Sequence, residues 1–262
     1  MIELPEKIKK LIGEKNYTID QIGKSDSTVI VFDNMILKIQ TITEESDNEH
    51  EMMLWLQDKL PVPKVLAFER KAGLSYLLMS KVEGKMSCDE EYINNPNQLA
   101  TLLTKGLRGL WQVDIANCPT SFALDRKLQM AQYNVEQNFV DLEDAEPDTY
   151  GEHGFRDPSH LLQWLIDNKP EEELVLSHGD FCLPNLFGRK EEVTGYIDLG
   201  KTGIADRWQD IALCYRSLLH NYDGTYTGKA YEGFDRNLLF EYLGIEPQWD
   251  KIRYYILLDE LF

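Results

Sequence analysis

The chain is poor in cysteine, in positive charge and in long apolar runs, and each shortage excludes something. Its four cysteines, Cys88, Cys118, Cys182 and Cys214, form no C-x-x-C pair and no tight framework. That spacing fits free thiols in a reducing compartment and sets aside a metal site built on His178 and Cys182. The apolar segment LLQWLI is broken by Gln163, too short to span a bilayer, and the N-terminus MIELPEKIKKLIGEKN is too polar for a signal peptide. Lys and Arg number 27 against 45 Asp and Glu, a net charge of −18. Like charge repels, so nucleic acid and anionic membrane are excluded as partners. A cytoplasmic location is expected.

What is present suits a folded protein. Hydrophobic residues make up 43% and charged residues 27% of 262, enough for one large core or two modest ones. The acid is unevenly spread. Residues 1–82 hold 11 basic and 13 acidic residues, whereas residues 83–262 hold 16 and 32. This asymmetry suits a nearly neutral N-terminal part that handles an anion and an acidic C-terminal part that attracts a cation.

The patterning divides the chain at the same place. IDQIGKSDSTVIVFD and NMILKIQT read as strands joined by an Asp33-Asn34 hairpin. A helix is expected from about Ser46 to Leu60, ended by Pro61, and two more strands flank Gly73. Apolar patterning stops at Ser80-Lys81-Val82-Glu83-Gly84, a hinge between lobes 1–82 and 83–262. Beyond it, helices are expected at 96–112, 121–139 and 158–168, the last entered at Asp157-Pro158. Short strands at 173–177 and VTGYIDL follow, then a helix from Asp206 and a closing helix in KIRYYILLDELF. The fold class expected is α+β, a β-rich lobe joined to a larger helical one.

The segment VLSHGDFCLPNLF carries the chemistry. Asp180 follows a strand, Asn185 lies five residues later, and Asp198 ends the next strand in IDLG. Phosphoryl transfer needs a carboxylate to orient the attacking hydroxyl and oxygen ligands for a magnesium ion. Asp180 suits the first role, and Asn185 with Asp198 the second. The protein-kinase pattern H-R-D-x-x-x-x-N followed by D-F-G is matched by His178-Gly179-Asp180, Asn185 and Asp198-Leu199-Gly200. In the N-terminal lobe Lys38 can reach phosphates. Glu49 shares the inward stripe of Met53 and Leu56 and is the preferred partner of Lys38, with Glu51 the alternative. The turn Gly23-Lys24-Ser25-Asp26-Ser27 stands where a phosphate-covering loop would lie, Ser25 offering its hydroxyl, although it has no G-x-G-x-x-G.

HGDFCLPN, IDLGKTGIADRWQDIA, EMMLWLQDKLPVPKVL and the ending YYILLDELF resemble the aminoglycoside 3′-phosphotransferases, the kanamycin kinase family, nearly end to end. The resemblance implies a protein-kinase-like two-lobe fold. It also implies transfer of the γ-phosphate of ATP or GTP, with Mg2+, to an aminoglycoside hydroxyl in antibiotic resistance. It implies Asp180 as catalytic base, Asn185 and Asp198 as metal ligands and Lys38 with Glu49 as phosphate clamp. The backbone of Ser80 and Val82 would meet the adenine edge, with Ile36 and Ile197 beside the nucleotide. Asp144, Glu146, Asp148, Asp259, Glu260 and Phe262 would hold the cationic drug, and a monomer or homodimer is expected.

Several positions depart from the pattern. Lys201 stands where relatives often carry arginine, so a bidentate phosphate or substrate contact is in question. His220 and Asn221 replace drug-binding acids, and Phe122 replaces a polar residue. Ile36 replaces an adenine-stacking ring. Asp210 and Arg216 read as internal partners. A same-fold kinase of another alcohol, such as a macrolide, choline-like or sugar substrate, and a non-catalytic nucleotide-binding protein are the alternatives. A protein kinase is disfavoured because no A-P-E segment follows Asp198.

Overall fold

The computed structural model describes residues 4–20, 27–143 and 145–262. The first part contains α1 (Glu6–Ile12), β1 (Thr18–Asp20), β2 (Thr28–Val31), β3 (Met35–Thr41), α2 (Glu44–Leu56), β4 (Val65–Lys71) and β5 (Leu74–Ser80). The strands form one antiparallel sheet in the order β1-β2-β3-β5-β4. The Asp33-Asn34 turn is closed by the Phe32 amide donating to the Met35 carbonyl at 2.9 Å. Ala72 and Gly73, with φ of 53° and 81°, make the β4–β5 turn, since a two-residue hairpin needs left-handed backbone to match strand twist.

Alternation along β3 places Met35, Leu37 and Ile39 in a core with Ile8, Phe32, Tyr76 and Leu78. Ile36 and Lys38 therefore share the opposite face. The helix expected at 46–60 instead spans Glu44–Leu56. Thr43 caps it, its hydroxyl accepting from the Ser46 amide while the Ser46 hydroxyl accepts from the Thr43 amide, a reciprocal box that fixes the start. Its end comes at Gln57, with ψ of 137°, ahead of the left-handed Asp58.

The second part contains β6 (Lys85–Met86), α3 (Glu90–Ile93), α4 (Pro96–Trp111), α5 (Leu124–Gln137), α6 (Pro158–Asp167), β7 (Leu174–Ser177), β8 (Leu186–Arg189), β9 (Glu192–Tyr196), β10 (Gly203–Asp206), α7 (Arg207–Asp223), α8 (Leu238–Leu243) and α9 (Trp249–Asp259). β7 pairs with β10, and β6, β8 and β9 form a separate sheet. The strand expected through VTGYIDL stops at Tyr196, because Asp198 turns left-handed and Leu199–Lys201 form a 3-10 turn. α5 is shorter than the expected 121–139, ending at left-handed Asn138.

α4 supports the β8–β9 hairpin. Leu99, Leu102, Leu103, Leu107 and Leu110 bury one of its stripes, each side chain contributing about 1.5–3 kcal/mol. Gly106 lets the helix approach closely, since a Cβ there would stand 2.9 Å from Leu186 and Phe181 atoms. The Tyr196 hydroxyl donates to the Gly106 carbonyl at 2.8 Å. No described helix is long and apolar enough to cross a membrane.

Candidate active site

β7 runs into Ser177-His178-Gly179-Asp180, and this loop is organised by Asp210, fully buried on α7. Asp210 accepts from the Ser177 hydroxyl at 2.9 Å and from the amides of His178 and Gly179 at 2.8 and 3.0 Å. Burial still raises its pKa, outweighing His178 and these donors. His178 Nε2 lies 2.9 Å from the Ile197 carbonyl. A carbonyl only accepts, so the proton is assigned to Nε2. Gly179 has φ of 83° and a Cβ there would lie 2.0 Å from the Lys201 carbonyl oxygen, so no other residue fits without moving the loop.

The same loop brings Asp180 and Asn185 together. Asn185 Nδ2 donates to Asp180 Oδ2 at 3.0 Å and to the Asp180 carbonyl at 2.9 Å. Cys182 Sγ donates to Oδ1 at 3.0 Å. The thiol is thereby held protonated, its pKa raised well above normal first by burial and then by Asp180. Asn185 and Asp198 are linked through the backbone, the Ile197 amide donating to the Asn185 carbonyl at 3.0 Å. Asp198 adopts φ of 59° and ψ of 58°, a conformation unusual for a non-glycine residue and common where backbone strain serves a site. An amide oxygen and a carboxylate on adjoining turns are a donor set of the kind magnesium takes together with phosphates and water.

From the β-rich side Lys38 Nζ reaches Glu49 Oε2 at 2.9 Å and Asp198 Oδ1 at 2.7 Å. Burial opposes its charge, but Glu49 and Asp198 prevail and raise its pKa. Asp198 is lowered: burial opposes, and Lys38, His178 and Lys201 outweigh it. Glu49, only 1% exposed, is raised by burial against the pull of Lys38. Glu51 is exposed, so the pairing falls to Glu49. Ser80 donates its amide to the Lys64 carbonyl at 2.9 Å, and its hydroxyl accepts from the Lys64 amide at 2.8 Å. Val82 packs against Gly195, where a Cβ would meet it at 2.3 Å. Ile36 and Ile197 are partly buried; Ser25 lies outside the described residues.

The C-terminal acids gather around Arg216. Its guanidinium pairs with Asp259 and lies 3.7 Å from Glu260 and 3.9 Å from Glu146. Glu146 also meets His220 Nε2 at 2.7 Å, and its amide donates to Glu260 at 3.1 Å. Burial opposes ionisation of Asp259, but Arg216, Lys201 and Lys127 hold its pKa low. Burial pushes Glu260 up to about 7. Lys201, against burial, is raised by Asp259, Asp180, Glu45 and Asp198. Asp148 is exposed and makes no contact with this cluster; Asp144 lies outside the described residues. Asn221 caps its own helix turn, donating to Ser217, and Phe122 is buried with Arg126 over its ring.

Two residues at the site escaped the sequence reading. Asn48, beside Glu49 on α2, donates to the carbonyls of Gly200 and Thr202, and its only available sign was a polar residue on an inward stripe. Lys127 on α5 is buried beside Asp259 and Phe262, and nothing local distinguishes it from a surface lysine. A cleft of about 460 Å³ lined by Trp164, Pro170, Lys251 and Tyr254 holds none of the site residues.

The geometry has relatives. Residues 18–255 match the model of the phosphotransferase enzyme family. An aminoglycoside 3′-phosphotransferase of Enterococcus faecalis is 40% identical, over 100% of this chain and 99% of its own. The crystal structure of an aminoglycoside 3′-phosphotransferase of type VIII superposes with a TM-score of 0.81 at 26% identity, covering 98% of both chains. An aminoglycoside phosphotransferase of Streptomyces rimosus, solved with ADP and streptomycin, shares the fold with a TM-score of 0.79 at 22% identity, over 97% of this chain and 95% of its own. A protein-kinase-like fold and full-length likeness at this level place the chain plainly: it belongs to the phosphotransferase enzyme family, among the aminoglycoside 3′-phosphotransferases.

Proposed function

We propose that this enzyme transfers the γ-phosphoryl group of a nucleoside triphosphate to the 3′-hydroxyl of an aminoglycoside, conferring resistance in the cytoplasm. The observation that carries the reading is the meeting of two charged systems: Lys38 joined to Glu49 and Asp198, and Asp180 held by Asn185. Lys38 would neutralise phosphate oxygens, Asp180 would orient the hydroxyl and receive its proton, and the fixed loop supplies orientation before reaction. Asn185 and Asp198 would hold magnesium, which when bound spreads the charge of the phosphates.

The nucleotide would lie between a lobe of residues 1–82 and one of 83–262, its base against Ile36, Ile197 and the backbone of Ser80 and Val82, with Ser25 over its phosphates. Glu146, Asp259, Glu260, Phe262 and Lys201 would form the drug wall, with Asp144 and Asp148 contributing from the acidic loop. The monomer or a homodimer would suffice, since every proposed group comes from one chain.

The test is nucleotide consumption with magnesium, using ATP and GTP, against kanamycin, neomycin and tobramycin, which lacks the 3′-hydroxyl. Turnover with the first two and none with tobramycin is expected. Turnover with tobramycin would remove the 3′ assignment, and no turnover with any would remove the substrate class.

A further inference from the structure

Lys127 is a cation set beside the acidic cluster around Asp259. Its side chain comes off α5 and the residue is only 6% exposed. Among the described residues no oxygen acceptor lies within hydrogen-bonding distance of its Nζ, and the Phe262 ring centroid is 5.2 Å away. The charged groups facing it come from several elements: Asp259 on α9, Lys201 in the turn after Asp198, Asp210 on α7 and Asp180 in the loop after β7. None of these acids is spare. Asp259 is committed to Arg216, Asp210 to the backbone of His178 and Gly179, and Asp180 to Asn185 and Cys182. Burial, with Lys201 adding to it, lowers the Lys127 pKa to about 8.

The stem of Lys127 is buried but its ammonium is not sealed from solvent, so with no protein acceptor in reach it depends on water or on a ligand for its hydrogen bonds. The missing partner is therefore sought in the ligand. An ammonium has three donors and no acceptor, so an ammonium of a polycationic substrate cannot serve and would be repelled. A hydroxyl or ether oxygen can serve. We propose that Lys127 is a specificity-determining contact, which at the substrate position between α5 and Phe262 selects a hydroxyl or ether oxygen over an ammonium. This rests on the aminoglycoside reading above, and it gives the acidic wall a position of opposite preference on α5. Discrimination of this kind is achieved by penalising the wrong group as well as by binding the right one.

The test uses two matched pairs that keep the 3′-hydroxyl: kanamycin A and B, which differ by hydroxyl or amine at the 2′ carbon, and paromomycin and neomycin, which differ in the same way at 6′. The quantity is the ratio of kcat/KM for the hydroxyl member to that for the amine member. In at least one pair, Lys127→Met is expected to lower this ratio about tenfold, carried by KM rather than kcat. Lys127→Gln, which keeps a donor without charge, should preserve KM for the hydroxyl member while losing the penalty on the amine. Lys127→Arg should restore the original ratio. A structural role would change both members of a pair alike. Ratios in the Met and Gln variants equal to the original in both pairs would overturn the proposal, and if the Met variant does not fold, the Gln and Arg variants decide by the same criterion. Absence of turnover of all four drugs by the unaltered enzyme would overturn the functional reading itself, and this inference with it.

Discussion

Asn48 and Gly200, 152 residues apart, are tied by the Asn48 Nδ2 donating to the Gly200 carbonyl at 2.8 Å. The same amide donates to the Thr202 carbonyl at 2.9 Å, and its oxygen accepts from the Thr120 hydroxyl at 2.6 Å. One buried side chain thus joins α2, the turn after Asp198 and the segment that enters α5. Because Glu49 is its neighbour on α2, the position of the Lys38 partner and that of Asp198 are set by one helix. Asn48→Ala would leave these buried groups unpaired, and a destabilisation of about 1–3 kcal/mol is expected, read as a lower urea midpoint. Turnover should fall as well, since small misplacement at a reacting centre costs about 10²-fold. An unchanged midpoint would mean that water replaces the amide at no cost.

Asp180 is fixed on both oxygens, by Asn185 and by Cys182, which orients it with no ion pair to a cation among the described residues. Asp180→Ala is expected to lower kcat by about 10²–10⁴-fold, the range of a general base. Nucleotide affinity, measured by calorimetry, should stay within a few-fold of the original, because Lys38, Glu49 and Asp198 are left in place. Retention of kcat would show that Asp180 orients nothing that matters to the reaction.

What was legible in the sequence was what local spacing encodes. Asp180, Asn185 and Asp198 stand out because their residue types and order on either side of one hairpin match the kinase pattern. Glu49 was legible as a carboxylate on an inward helical stripe. Asn48 was not, because its partners are backbone carbonyls far along the chain, and carbonyls have no letter of their own. Lys127 failed for a related reason: on a helix a lysine defaults to solvent, and only the fold brings Asp259 and Phe262 over it. The early end of α2 was missed because Asp58, not glycine, takes the left-handed position. The acidic loop was visible as charge alone, and composition could not tell that Glu146 turns in toward His220 while Asp148 stays exposed.

Glu260 gives a pH dependence of definite sign. Its carboxyl is 8% exposed as a residue and, chiefly through burial, keeps its proton up to about 7 against an ordinary value of 4.5. Between those values the folded state holds more protons than the unfolded chain, so this group makes stability fall as pH rises through that window. Glu260→Gln keeps an oxygen acceptor for the Glu146 amide and removes the ionisation. It should flatten the stability profile between about pH 4.5 and 7 and raise stability by about 2 kcal/mol above it, less whatever the Arg216 contact contributes. Thermal unfolding across pH 4.5 to 8 would check this. A profile as steep as the original would place the titration on another group.

Lys38 and Glu49 are a buried pair that can be taken apart in two ways. The Lys38 side chain is 12% exposed and that of Glu49 2%. Among the described residues, Lys38→Met leaves the carboxylate with the Gln40 amide at 3.3 Å as its remaining hydrogen-bond partner. Removing one member of such a pair costs about 3–5 kcal/mol, whereas replacing both with apolar residues is often neutral. Lys38→Met should therefore destabilise the protein, and Lys38→Met with Glu49→Leu should recover most of the loss. The destabilisation should also grow as pH rises above about 4.5, because a buried carboxyl deprived of its cation keeps a proton that the unfolded chain gives up. Activity should behave differently. Both variants lack the ammonium proposed to meet the phosphates, so the double variant should be nearly as stable as the original and still bind nucleotide poorly. Recovery of nucleotide affinity together with stability would mean that Lys38 serves to neutralise Glu49 and nothing more.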